Sequence, residues 1–197
     1  YRSLVNDDLG SQNGALIFDE SGFVKKGQDS NGVSRQYCGA IGKVDNCQVG
    51  VFAGYVPEHG YALVDKRLFI PKNWFGDDHL ERRTKCNLPA EAVFQSKPKL
   101  AAEMLTALSK ADVLTFKYVL ADSLYGVSPE FIAAVEALPG KIYFVSVPKD
   151  TQCWLTRSMS ITKEYRWSGK KCRKRVLAAP DTKPLSLEDA ARNMNDY

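Results

Sequence analysis

Short apolar runs with polar, glycine-rich intervals open the chain, and apolar positions spaced three and four apart come after them. Ala15-Leu16-Ile17-Phe18 reads as a buried strand that ends on Asp19-Glu20, with a Ser-Gly pair directly after it. Residues 21–46, rich in Gly, Ser, Asn and Lys, predict a long loop or irregular hairpin, with a short extended piece at Tyr37 to Ile41. Cys47 to Val56 and Tyr61 to Ile70 read as two strands. The turn Pro57-Glu58-His59-Gly60 joins them into a β-hairpin over 47–70. Residues 71–97 predict an irregular surface excursion. The period then changes. Leu100, Met104, Leu105 and Leu108 fall on one face of a helix over 98–110, with Pro98 at its start, where proline is tolerated. Lys117 to Ala121 is a strand that ends on Asp122. Ser128-Pro129-Glu130 opens a second helix with an apolar face of Phe131, Ile132, Val135 and Leu138, and Pro139-Gly140 ends it. Ile142 to Val147 is a further strand, stopped by Pro148.

A meander followed by helix–strand alternation predicts an α/β fold with a mixed sheet, antiparallel first and parallel later. The character changes near 149, which divides the chain into a core over 1–149 and a module over 150–197. At 197 residues and 21.9 kDa, with 44% apolar and 25% charged residues, the composition excludes disorder across the whole chain. The longest apolar runs fall far short of the roughly 20 residues that a membrane helix needs. No charged-then-apolar leader opens the chain. The missing initiator Met predicts a segment of something longer.

Charge is uneven. Residues 151–197 carry ten Lys and Arg against five acids, net +5, whereas the remainder is net −1. Such asymmetry points to a polyanionic partner. The five cysteines, Cys38, Cys47, Cys86, Cys153 and Cys172, form no CxxC pair, and with only His59 and His79 they assemble no zinc pattern. They read as reduced structural thiols of a cytosolic protein. Cys38 and Cys47 are assigned to packing, and the two histidines to turn or surface positions.

Two strands end on an aspartate. Parallel strands on either side of a right-handed crossover tend to lie side by side, with their carboxyl ends on one sheet edge. That brings Asp19 and Asp122 together across a long stretch of sequence. Two such carboxylates are hard oxygen ligands for Mg²⁺, and paired ions roughly 4 Å apart act on phosphodiesters. The plainer alternative is that both aspartates only begin turns, bonding nearby backbone N–H groups.

The residues around them resemble a known family. Phe18-Asp19-Glu20-Ser21-Gly22-Phe23, Lys25-Lys26-Gly27 and Arg35-Gln36-Tyr37-Cys38-Gly39 resemble the opening of the nuclease domain of DDE-superfamily insertion-sequence transposases. So do Gly42-Lys43, Asn46-Cys47-Gln48-Val49-Gly50-Val51-Phe52 and Asp65-Lys66-Arg67-Leu68-Phe69-Ile70-Pro71. Ala121-Asp122-Ser123-Leu124-Tyr125-Gly126 resembles the second acidic motif, and Tyr143-Phe144-Val145-Ser146-Val147-Pro148-Lys149 the strand after it. The resemblance covers about 14–150, in order and with natural spacing.

This resemblance implies an RNase H-like fold and Mg²⁺-dependent DNA cleavage and strand transfer, with Mn²⁺ as a substitute ion. It matches the first and second catalytic acids to Asp19 and Asp122. It implies DNA as partner, a homodimer on paired transposon ends, and a bacterial cytoplasmic location. Strand alternation points Glu20 away from Asp19. The family's third acid, a Glu within a Tyr…Arg…Glu pattern, has no match here. Neither Glu164 nor Glu188 has the right neighbours. The expectation is that 150–197 begins an insertion, that the third acid lies past Tyr197, and that this segment alone cleaves poorly or not at all.

The stretch 154–175 interleaves Trp154, Tyr165 and Trp167 with Arg157, Lys163, Arg166 and the run Lys170-Lys171-Cys172-Arg173-Lys174-Arg175. Pro180 and Pro184 punctuate the chain beyond this run, and Ser186-Leu187-Glu188-Asp189 reads as a helix start. Lys170, Lys171, Arg173, Lys174 and Arg175 are candidates for phosphate contact, and the tryptophans for base stacking. Otherwise Trp154 and Trp167 are core residues and the charges a solvated face. Lys25, Lys26 and Arg35, in the loop after the first acid, are further candidates for the DNA backbone. Two other functions remain open: a DNA-binding domain derived from a transposase and without catalysis, and another RNase H-like nuclease such as a resolvase.

Overall fold

A computed structural model describes residues 1–155, 159–178 and 183–194. The chain forms two compact units, Tyr1–Ser146 and Val147–Tyr197. In the first, α1 (Arg2–Leu9) leads into β1 (Ala15–Val24), β2 (Ser34–Cys38), β3 (Lys43–Val56) and β4 (Ala62–Phe69). After α2 (Leu80–Lys85) come α3 (Lys97–Ala111), β5 (Tyr118–Ala121), α4 (Ser123–Gly126), α5 (Pro129–Glu136) and β6 (Ile142–Val145). The strands make one six-stranded sheet. Its order is β2-β3-β1-β5-β6, and β4 also pairs with β3. The pairs β1–β3, β2–β3 and β3–β4 are antiparallel, while β1–β5 and β5–β6 are parallel. The mixed α/β sheet therefore has the expected character, meander first and crossovers later.

Strand alternation divides the sheet into two faces. Leu16, Phe18, Val51, Ala53, Tyr55 and Val119 point to one side, where they pack with Leu100, Met104, Leu105 and Leu108 of α3 and Phe131 and Val135 of α5. The apolar faces predicted for the two helices are thus the ones used. α3 starts with a Ser96 cap, whose Oγ accepts the Lys99 N–H at 3.3 Å, and Ser128 caps α5 in the same way. The other side of the sheet carries Ile17, Phe52, Leu120 and Phe144, the last 61% exposed.

Several local expectations are corrected. β1 does not end at Phe18 but runs on to Val24, paired throughout with β3. The Ser21-Gly22 pair is therefore strand, not loop. A Cβ at Gly22 would lie 2.6 Å from Cys38 Sγ, so the glycine admits a close approach rather than breaking the strand. β2 spans 34–38, and 39–41 is a 3₁₀ turn rather than extended chain. β6 stops at Val145. α1 carries no periodic signal because it buries one side chain, Val5. The 71–97 excursion is anchored: Trp74 is fully buried, its Nε1 donates to Val33 O at 2.9 Å, and Arg82 stacks over its ring.

The second unit holds β7 (Gln152–Cys153), β8 (Ser160–Trp167), β9 (Lys170–Leu177), β10 (Leu185–Ser186) and α6 (Leu187–Met194). β8 and β9 form an antiparallel hairpin, and β7 pairs with β10. α6 begins where the Ser186-Leu187-Glu188-Asp189 signal puts a helix start, and Ser186 Oγ accepts the Asp189 N–H at 3.1 Å. Among the described residues, no helix is long and apolar enough to cross a membrane.

Candidate functional site

Parallel pairing of β1 with β5 runs from Ala15↔Tyr118 to Phe18↔Ala121. The next residue of each strand is an aspartate. Asp19 and Asp122 therefore stand side by side, on the face opposite α3 and α5. They line a concavity of about 670 Å³ together with Ile17, Leu120, Phe144 and Ser146. Partial burial, with the neighbouring Glu20 and Asp122 charges, pushes the Asp19 carboxyl above its usual range, against the pull of the Glu20 N–H and the Lys97 ammonium.

Each aspartate also serves the backbone. Asp19 Oδ1 accepts the Glu20 N–H at 2.8 Å. Asp122 Oδ1 caps α4, accepting the Leu124 N–H at 2.9 Å. The turn-forming role and the side-by-side placement thus coexist. α4 sits close against the end of β6: a Cβ at Gly126 would run into the Ser146 carbonyl oxygen. Only glycine at 126 lets the helix that Asp122 caps approach this strand.

Glu20 faces the helical side, as alternation requires. Its Oε1 takes the Lys97 ammonium at 2.8 Å and its Oε2 takes the Tyr125 hydroxyl at 2.7 Å. Tyr125 is fully buried, and burial together with the Glu20 carboxylate pushes its hydroxyl far above the ordinary phenol range. Sequence reasoning missed Lys97 and Tyr125. The one signal in the sequence was a lysine at the first residue of a helix, where the macrodipole disfavours a cation unless an anion faces it.

Among the described residues, no group of three or more His, Cys, Asp or Glu side chains is arranged to hold a metal ion. Asp19 and Asp122 supply two hard oxygen donors, a set suited to Mg²⁺ or Mn²⁺ but short of a full protein shell.

The basic candidates lie elsewhere. The Lys25 N–H bonds Asn46 O at 2.9 Å, and Arg35 is the register partner of Asn46, so the structure gathers these two six residues along from Asp19, roughly 20 Å at strand rise. Lys26 is next to them in the chain. Lys170, Lys171, Arg173, Lys174 and Arg175 all lie on β9, and the hairpin register sorts them. Lys171, Arg173 and Arg175 share a face with Arg166 and Glu164. Lys170 and Lys174 share the other with Lys163, Tyr165 and Trp167. Trp167 is 71% exposed, and Trp154 is exposed too, so neither is a core residue. Arg157 and Pro180 lie outside the described residues. Cys38 and Cys47 are buried together, with the Cys47 thiol raised by burial, and His79 sits beside Trp74.

The family model described as DDE superfamily endonuclease matches residues 2–197. The chain belongs to this family. It is also 34% identical, over 129 residues, to a probable transposase for insertion sequence element IS701 from Microchaete diplosiphon, a match covering 62% of this chain. The chain spans about 29% of that relative's length. No solved structure matches. Both similarities agree with the resemblance carried by the motifs around Asp19 and Asp122.

Proposed function

We propose that this chain is a catalytic-domain segment of a DNA transposase, acting by Mg²⁺-dependent phosphodiester cleavage and strand transfer at transposon ends. Residues 1–149 are the RNase H-like core and 150–197 an inserted basic module or its beginning. One observation carries the reading: the β1–β5 register sets Asp19 and Asp122 side by side on a sheet face open to a large ligand. Asp19 and Asp122 hold the metal, Mg²⁺ in the cell or Mn²⁺ in its place. Bound divalent ions supply activation of an attacking oxygen and neutralisation of phosphate charge. The chain's own part is to hold two carboxylates in register on the sheet, with Ile17, Leu120 and Phe144 lining the same concavity.

In cleavage, water attacks phosphorus and the P–O3′ bond breaks, freeing a 3′-OH. In transfer, that 3′-OH attacks a target phosphorus: a new P–O3′ bond forms, the target's own P–O3′ bond breaks, and the displaced 3′ oxygen leaves as a 3′-OH, taking up the proton that the attacking hydroxyl gives up. Glu20 does not serve as a third ligand, because both its oxygens are already engaged. Lys170, Lys171, Arg173, Lys174 and Arg175 contact DNA phosphates, and Lys25, Lys26 and Arg35 follow the backbone further along the sheet. The working form is a homodimer on DNA in the bacterial cytoplasm.

Titration of Mn²⁺ into this chain and into Asp19→Asn/Asp122→Asn, followed by calorimetry, tests the assignment. Binding in the first that is lost in the second is the expected result. Equal heats in both would remove the two aspartates from any metal site.

A further inference from the structure

Behind the two aspartates lies a second, linked set of side chains that the metal reading leaves unused. Glu20 is the residue after Asp19, and Tyr125 lies three residues after Asp122. The Tyr125 hydroxyl reaches Glu20 Oε2 at 2.7 Å across 105 residues of sequence, and Lys97 Nζ reaches Oε1 at 2.8 Å across 77. Both carboxylate oxygens are thus committed, and the Lys97–Glu20 pair is largely withdrawn from solvent, with side-chain exposures of 19% and 24%.

Each member is held from another element. Lys97 opens α3, where a cation opposes the helix dipole, so its place there depends on the Glu20 charge. Its ammonium also lies 5.5 Å from the centre of the Phe69 ring. Tyr125 belongs to α4, a helix of only four residues with no core of its own. Its ring is clamped edge-on against Phe131 at 5.6 Å, which leaves the hydroxyl as the group that fixes how α4 is turned. The N-cap of α4 is Asp122.

We propose that Glu20, Lys97 and Tyr125 are positioning residues that lock α4 to β1 and so hold Asp122 at a fixed placement beside Asp19; the proposal rests on the metal reading of those aspartates. Lys97 orients Glu20, Glu20 orients Tyr125, and Tyr125 sets the short helix that Asp122 caps. Partners that orient metal-binding groups typically change affinity by about 10–100-fold when removed.

The test uses Tyr125→Phe, which keeps the packed ring, and Glu20→Gln, which keeps the shape and an acceptor while removing the charge. Three quantities are read on the whole 197-residue chain: the Mn²⁺ dissociation constant, the thermal midpoint, and the amide resonance of Leu124, whose N–H donates to Asp122 Oδ1. The expected result is Mn²⁺ binding weakened about tenfold in both variants, near-native melting in Tyr125→Phe with a lowered midpoint in Glu20→Gln, where Lys97 loses its counter-charge, and a displaced Leu124 amide in Tyr125→Phe while the Phe131 amide of α5 stays in place. Wild-type Mn²⁺ affinity in both variants would overturn the proposal, whatever the amide does. If the unmodified chain shows no Asp19-dependent Mn²⁺ binding, the metal reading falls, and the Leu124 resonance alone decides the positioning role. An unmoved Leu124 amide would then refute it.

Discussion

Asp19 and Glu20 are adjacent in the chain and chemically alike, yet they meet different surroundings. Alternation turns Asp19 outward, beside Asp122, and Glu20 inward, onto Lys97 and Tyr125. The inward carboxylate has a cation and a hydroxyl. The outward one has partial burial and two acidic neighbours, which raise its pKa. A carboxyl raised in the folded state binds more protons than in the unfolded chain. Stability therefore falls as pH climbs from below the ordinary aspartate range through the raised value. Asp19→Asn removes that cost and keeps an oxygen for the Glu20 N–H. In metal-free buffer the variant should melt above the wild type at neutral pH, with the difference shrinking under acid conditions. Thermal melts of the two proteins across pH check this, and a variant that melts lower at pH 7 would contradict the assigned charge crowding.

At the scale of elements, helix α3 was readable because four leucine and methionine positions repeat at its period, and the same four meet the sheet. Burial of this kind carries most of the stability of an amphipathic helix. Leu105 is fully buried at its centre, so Leu105→Ala should cost about 2–5 kcal/mol, measured by urea unfolding. A loss under about 1 kcal/mol would mean that the helix does not seat on the sheet through this face. Strand β1 was read too short for an equally physical reason. Ser21-Gly22 has the composition of a turn, and only the presence of β3 alongside and Cys38 close by reveals it as strand. The hairpin β8–β9 escaped a reading as strands because charged residues dominate it and most of its side chains are exposed: Ile161, Tyr165 and Trp167 do alternate along β8, but Lys163 interrupts them and the run of bases on β9 masks the period.

For the molecule as a whole, the charge asymmetry of the sequence becomes a sorted surface. One face of the β8–β9 hairpin carries Arg166, Lys171, Arg173 and Arg175 around a single acid, Glu164, which pairs with Arg173 at 3.0 Å. Replacing Arg173, Lys174 and Arg175 by Ala should flatten the dependence of DNA affinity on salt, by about 0.9 in log–log slope for each phosphate no longer neutralised. Fluorescence anisotropy with a labelled duplex at several salt concentrations reads it, and an unchanged slope would take these residues off the DNA. The mixed sheet, the helix faces, the acidic pair and the family follow from residue order alone, since periodicity, turn chemistry and motif spacing are local and survive in a one-dimensional string. The continuation of β1 past Asp19, the Lys97–Glu20–Tyr125 linkage and the two faces of the basic hairpin were decided only in three dimensions. Each depends on which strand lies beside which and in what register, and on groups up to 105 residues apart meeting within hydrogen-bond distance.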